Sequence, residues 1–111
     1  MSDLAYLGLA AASELIRGRK LSPVEYVEAL LARIDRLDAS YNVFIRLMPE
    51  EALAAARRAE TEIAAGHWRG PLHGVPYALK DIIDVAGVPT TGHSRILADA
   101  VATRDAAVTE R

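Results

Sequence analysis

Apolar side chains recur at helical spacing through the first half of the chain, then give way to sequence rich in glycine and proline. Residues 9–19 carry a narrow stripe of Ala12, Leu15 and Ile16, with Gly18 placed to cap the end of a helix. The sharpest start signal follows. Ser22 is a natural N-cap, Pro23 suits the first helical position, and Glu25 stands where the reciprocal partner of a capping box belongs. From there Val24, Val27, Leu30, Leu31, Ile34 and Leu37 line one face, with Glu28, Arg33 and Arg36 mostly on the other, which predicts a helix to about residue 38. Asp38-Ala39-Ser40-Tyr41-Asn42 has the composition of a turn, and the β-branched and aromatic residues of 43–47 predict a short strand. Pro49-Glu50-Glu51 opens a third helix, which runs through alanine-rich sequence to about residue 65 and is closed by Gly66. Its small side chains imply close packing on a neighbour.

From His67 the character changes. Gly66, Gly70, Pro71, Gly74 and Pro76 mark a loop. The apolar run over residues 75–85, broken by Lys80, Asp81 and Asp84, then predicts a buried strand and its continuation. Gly87-Val88-Pro89-Thr90-Thr91-Gly92 is a second turn with a short extended piece, and residues 94–102 read as a short helix or irregular chain. Asp105 is placed to cap a last helix from Ala106, which has run less than two turns when the sequence stops at Arg111. The expectation is that the end frays or that the natural protein continues. Neither an internal repeat nor a linker between two domains is visible.

Composition bounds the function. With 111 residues, 51% of them hydrophobic, the chain fits one domain or part of one. Much of the apolar content is alanine, so the core gained alone is modest. A net charge of −2 and only short basic clusters, Arg17-Gly18-Arg19-Lys20 and Arg57-Arg58, give no footprint for nucleic acid. The chain has no cysteine, which excludes disulfides, a thiolate nucleophile and a thiolate zinc site. Met1-Ser2-Asp3-Leu4 lacks the basic region of a signal peptide, and no apolar run approaches the roughly 20 residues of a membrane span. A cytoplasmic protein that does not enter membranes is expected.

Candidate chemistry centres on Lys80. If residues 75–80 are extended, Val75, Tyr77 and Leu79 share a core face, and Lys80 shares the other with the small Pro76 and Ala78. A lysine pocketed there would be pushed toward its neutral form and could take a proton from a serine. The other reading is a lysine at a strand end that snorkels to water or pairs with Asp81 or Asp84. His67, His73 and His93 are widely spaced and lack an H-E-x-x-H pattern, so no metal site is expected. Ser2, Ser13, Ser22, Ser40 and Ser94 include no nucleophile elbow, and Ser94 suits a local side chain–backbone bond. No phosphate loop is present, and nothing in the sequence asks for a cofactor.

The stretch Gly74-Val75-Pro76-Tyr77-Ala78-Leu79-Lys80-Asp81, within a longer run over residues 70–91 that ends in Gly87-Val88-Pro89-Thr90-Thr91, closely resembles the lysine-bearing segment of the amidase signature family. That family includes bacterial amidases and the A subunit of glutamyl-tRNA(Gln) amidotransferase. Leu21-Ser22-Pro23-Val24-Glu25, Asn42-Val43-Phe44 and Asp105-Ala106-Ala107-Val108 follow its usual N-terminal course, so the resemblance spans almost the whole chain.

It implies an α/β fold, a single α/β/α domain around a mixed sheet, of which residues 1–111 are the N-terminal portion, helices first and then the lysine-bearing strand. It also implies amide-bond hydrolysis by a Ser–cis-Ser–Lys triad, with Lys80 as the base and backbone amides near the nucleophile holding the oxyanion. None of the five serines matches the bridging or nucleophilic serine, so the chain alone is expected to be inactive. The expected partners are a small amide substrate of the full-length enzyme, a second copy in a homodimer, or amidotransferase subunits. The competing expectations are half of a split enzyme, completed in trans, and a non-enzymatic module that binds a partner through its alanine-rich helices.

Overall fold

A computed structural model describes residues 3–111; Met1 and Ser2, the start of the segment read for a signal peptide, lie outside the described residues. The chain forms two compact units, residues 1–76 and 77–111. The first is helical. A 3-10 turn, Leu4–Tyr6, precedes α1 (Leu9–Arg17), α2 (Pro23–Tyr41) and α3 (Pro49–Ala64). Among the described residues no helix is long and apolar enough to cross a membrane.

The helix starts and stops follow local chemistry. Ser22 caps α2 as its sequence predicts, its Oγ accepting from the amides of Val24 at 3.0 Å and Glu25 at 3.4 Å. The hydroxyl proton goes to Glu60 on α3, so the same oxygen that caps one helix fastens it to the next. Ser22→Ala is therefore expected to cost about 1–2 kcal/mol, the upper part of the usual range for a lost cap, read as a lower urea midpoint at unchanged slope.

At the end of α1 the left-handed residue is Arg19, with φ 58°, rather than Gly18, whose φ is −76°. The helix α2 runs past the expected turn. Asn42 ends it in the left-handed conformation, and the Asp38 carboxylate accepts from the amides of Val43 at 2.8 Å and Phe44 at 3.3 Å.

The core of this unit is small. Ala12, Ile16, Leu21, Tyr26 and Ile63 form its centre, with Leu15, Leu30, Trp68 and Val75 packed around it. Ile16 is the one large side chain there that is fully enclosed, at 1% exposure. Across from α2, α3 buries Ala56, Ala59 and Ile63, which is the close small-residue packing expected of it. Tyr6 packs beside α2: its hydroxyl accepts from Arg33 Nη2 at 3.3 Å, and Asp3 stands 3.7 Å from the same guanidinium.

The sequence led us to expect an α/β domain with a mixed sheet, and the structure corrects this. The described residues are helical and hold no sheet; residues 43–47 and 75–80 are irregular, and the sole pairing is an isolated antiparallel bridge between Pro89 and Val101. The physical reason is that strand propensity is a preference for a pleated, half-buried surface, realised only when a neighbouring strand satisfies the backbone. Neither segment finds such a neighbour among the described residues, and Val43, Ile45 and Leu47 stay exposed.

The second unit is tied together by hydrogen bonds. Gly87 N–H donates to Ala102 O at 2.9 Å, Ala102 N–H to Val88 O at 3.1 Å and Thr90 N–H to Ala100 O at 3.0 Å. It ends in the short helix α4 (Ala107–Glu110), whose N-cap Ala106 offers no side-chain acceptor. Asp105, expected to cap this helix, instead accepts from the amide of Ala86 at 2.7 Å.

Candidate functional site

Lys80 lies in the second unit, where the irregular segment from Tyr77 runs into a turn closed by a 3.0 Å bond from Ile83 N–H to Lys80 O. Its side chain is exposed, so the pocketed lysine considered above is not the state of this chain. The expected core face fails at the same place, since Tyr77 is 71% exposed. The other reading is realised only in its exposure to water. Among the described residues Lys80 makes no ion pair, with Asp81, Asp84 or any other carboxylate, and no hydrogen bond joins it to a serine.

Asp81 is engaged elsewhere. Its Oδ1 accepts from Thr91 N–H at 2.9 Å, its Oδ2 accepts from the Thr91 hydroxyl, and its carbonyl accepts from Gly92 N–H at 2.8 Å. The Thr91 hydroxyl oxygen in turn accepts from His93 N–H at 3.0 Å. The hydroxyl of Thr91, and next its amide, hold the Asp81 carboxyl below its ordinary value by stabilising the charged form. A carboxyl lowered in the folded state supports folding above its unfolded value of about 3.9 and loses that support as pH falls through the folded value. The clamp is thus expected to hold at neutral pH and to open only in acid. A 13C titration of Asp81 should show a midpoint below that of the same residue in Thr91→Val.

Three of the serines have structural posts. Ser13 is buried in α1, Ser22 is a cap, and Ser94 Oγ accepts from Ile96 N–H at 3.2 Å, which is the local bond expected of it. His73, weighed in the sequence only with His67 and His93 as a widely spaced loop histidine, is buried. Its Nδ1 accepts from Arg69 N–H at 2.9 Å, which places the proton of the neutral ring on Nε2. That Nε2 stands 3.1 Å from Glu62 Oε2, out of line for a good hydrogen bond, and the Arg69 guanidinium forms an ion pair with the same oxygen, Nε at 3.0 Å. The group fastens the loop after α3 back onto that helix. No three His, Asp or Glu side chains among the described residues gather as a metal site would require. A hollow of about 320 Å3 in the first unit is lined by Ile16, Arg19, Ser22, Glu60 and Ile63 among others, and Ser22 and Glu60 are the helix-cap pair already described.

The Lys80 segment thus combines an exposed, unpaired lysine with a turn fixed through its neighbour, on a run of sequence shared with a known class of enzyme. The family model described as Amidase matches residues 25–111, and the chain belongs to that family. Among its relatives, the glutamyl-tRNA(Gln) amidotransferase A chain of Chloroflexus aggregans is 43% identical over 111 residues, covering 100% of this chain and 23% of that protein. The AmiD protein of Mycobacterium tuberculosis (strain ATCC 25618 / H37Rv), provisionally named an amidase, is 42% identical over 108 residues, 97% of this chain and 23% of its own length. An amidase of Pseudomonas putida is 39% identical over 94 residues, 85% of this chain and 20% of its own. The chain therefore spans less than a quarter of each of these relatives.

Proposed function

We propose that this chain supplies the lysine base of an amide hydrolase of the Ser–cis-Ser–Lys type, as the N-terminal portion of its single domain. The observation that carries this is the family match over residues 25–111, within which Lys80 is the sole lysine, the other being Lys20. In the assembled site Lys80 takes up, through a bridging serine, the proton that the nucleophilic serine gives up on attacking the amide carbonyl. That proton returns through the bridging serine to the leaving nitrogen as the C–N bond breaks; the amine leaves, an acyl-enzyme ester remains, and water or another amine resolves it. The small amide that fills this site is the substrate.

We further propose that the chain alone does not turn amides over. None of its five serines matches either serine of the relay, and among the described residues no serine is hydrogen-bonded to Lys80. The test is to assay the chain alone and the chain joined to the remainder of the Mycobacterium tuberculosis relative, against simple aliphatic and aromatic amides. Turnover is expected only in the joined protein; turnover by the chain alone that vanishes in Lys80→Ala overturns the reading. A second reading, one component of a tRNA-dependent amidotransferase working with other subunits, is supported by the Chloroflexus relative's match along this entire chain. It predicts that the chain joined to the remainder of the Chloroflexus relative releases ammonia from glutamine.

A further inference from the structure

The exposed Lys80 side chain has no partner that fixes its direction, so its placement depends on its backbone. That backbone is held through the next residue. Asp81 spends both carboxylate oxygens on one residue, Thr91, ten positions away, and its carbonyl on Gly92, while the turn itself is closed from Ile83 N–H to Lys80 O. No other acidic side chain among the described residues grips a single residue through both its amide and its hydroxyl. The bond from His93 N–H to the Thr91 oxygen leaves that hydroxyl oriented to donate to Asp81. An acid beside a catalytic lysine would ordinarily be taken for its ion-pair partner; here the carboxylate is committed to the loop opposite.

We propose that Asp81 is a positioning residue for Lys80: its carboxylate and carbonyl clamp the lysine-bearing turn to Thr91 and Gly92 and thereby set where the amine stands. This rests on the reading of Lys80 as the base. A base displaced by about 1 Å loses on the order of a hundredfold in rate while substrate binding elsewhere is retained. The clamp therefore acts on kcat and leaves KM alone.

Two measurements test it. In the 111-residue chain, amide hydrogen exchange at Thr91 is expected to quicken about tenfold or more in Asp81→Ala, which removes the acceptor, while Gly87 and Ala102, whose amides bond to other backbone groups, exchange as before. Wild-type exchange at Thr91, or equal acceleration at all three, overturns the clamp. In the joined enzyme, Asp81→Ala and Thr91→Val are expected to lower kcat about ten- to a hundredfold with KM within about twofold, and Thr91→Ser, which keeps the hydroxyl, to restore it. A Thr91→Ser variant as slow as Thr91→Val overturns the proposal, as does wild-type kcat in Asp81→Ala. Lys80→Met separates the two ideas. If it still turns over, the base assignment fails; if it is dead while Asp81→Ala is fully active, only the positioning role fails.

Discussion

Lys80→Met in the joined enzyme is expected to lower kcat for amide hydrolysis by about 10²–10⁴-fold, the span ordinarily supplied by one general base. Methionine keeps the length and the apolar stem of lysine and removes the one group that can hold the relayed proton. The loss should fall on kcat and kcat/KM alike, because the proton moves in the transition state and not in the bound complex. Lys20 provides the internal control. It is the second lysine of the chain and lies outside the family match, so Lys20→Met should leave turnover intact. Equal effects from the two substitutions would show that general charge, and not the relay, is at stake.

The second large effect is on folding. Gly74→Ala is expected to destabilise the first unit by about 2–4 kcal/mol, read by urea denaturation. Two costs add there. Gly74 has φ 83°, a conformation that a side chain occupies only under strain, and a Cβ placed on it would lie 2.9 Å from Pro23 Cγ and 3.2 Å from Ile16 Cγ2. The neighbours have little room to give, since Pro23 is rigid at the start of α2 and Ile16 is the enclosed centre of the core. Gly66 separates the two costs: it has φ 88° and nothing within 4 Å of its would-be Cβ. Gly66→Ala should therefore cost only about 1 kcal/mol, and the difference between the two variants measures the collision. A glycine of the family motif thus answers to helix packing in the first unit.

The helices could be read from the sequence because their signals are local. Ser22 and Pro23 set the start of α2, Pro49 with Glu50 and Glu51 the start of α3, and Ala56, Ala59 and Ile63 fall at the spacing that one helix face demands. The turn expected at residues 38–42 came a few residues late, since a helix can continue until some residue tolerates a left-handed backbone, and Asn42 is that residue. Strands were misjudged for the complementary reason. Whether residues 43–47 or 75–80 pair depends on what stands beside them, and composition does not carry that.

At the candidate site, the resemblance picked out Lys80 and the residues alone left it undecided between a pocket and a strand end that meets water or an acid. The structure shows neither a pocket nor an ion pair. The Asp81–Thr91 clamp was missed because its partners are ten positions apart with no periodicity to link them, and because an acid next to a lysine draws attention to the wrong pair.

The second unit has one further property. None of residues 77–111 is buried, and Ile82, Ile96, Val101 and Val108 are each more than half exposed, at 63%, 93%, 54% and 62%. Its order comes from bonds such as those that Asp84 O receives from Ala106 N–H at 3.0 Å and from the Thr109 hydroxyl at 2.8 Å. Heat capacity rises on unfolding because apolar surface meets water, at about 0.45 cal/K/mol/Å2. A segment in which Leu79, Ile83, Val85 and Val88 are at most half-buried contributes little to that rise. In a calorimeter the larger part of the chain's heat-capacity step is thus expected to come from residues 3–76, and the lysine-bearing part to add a small one.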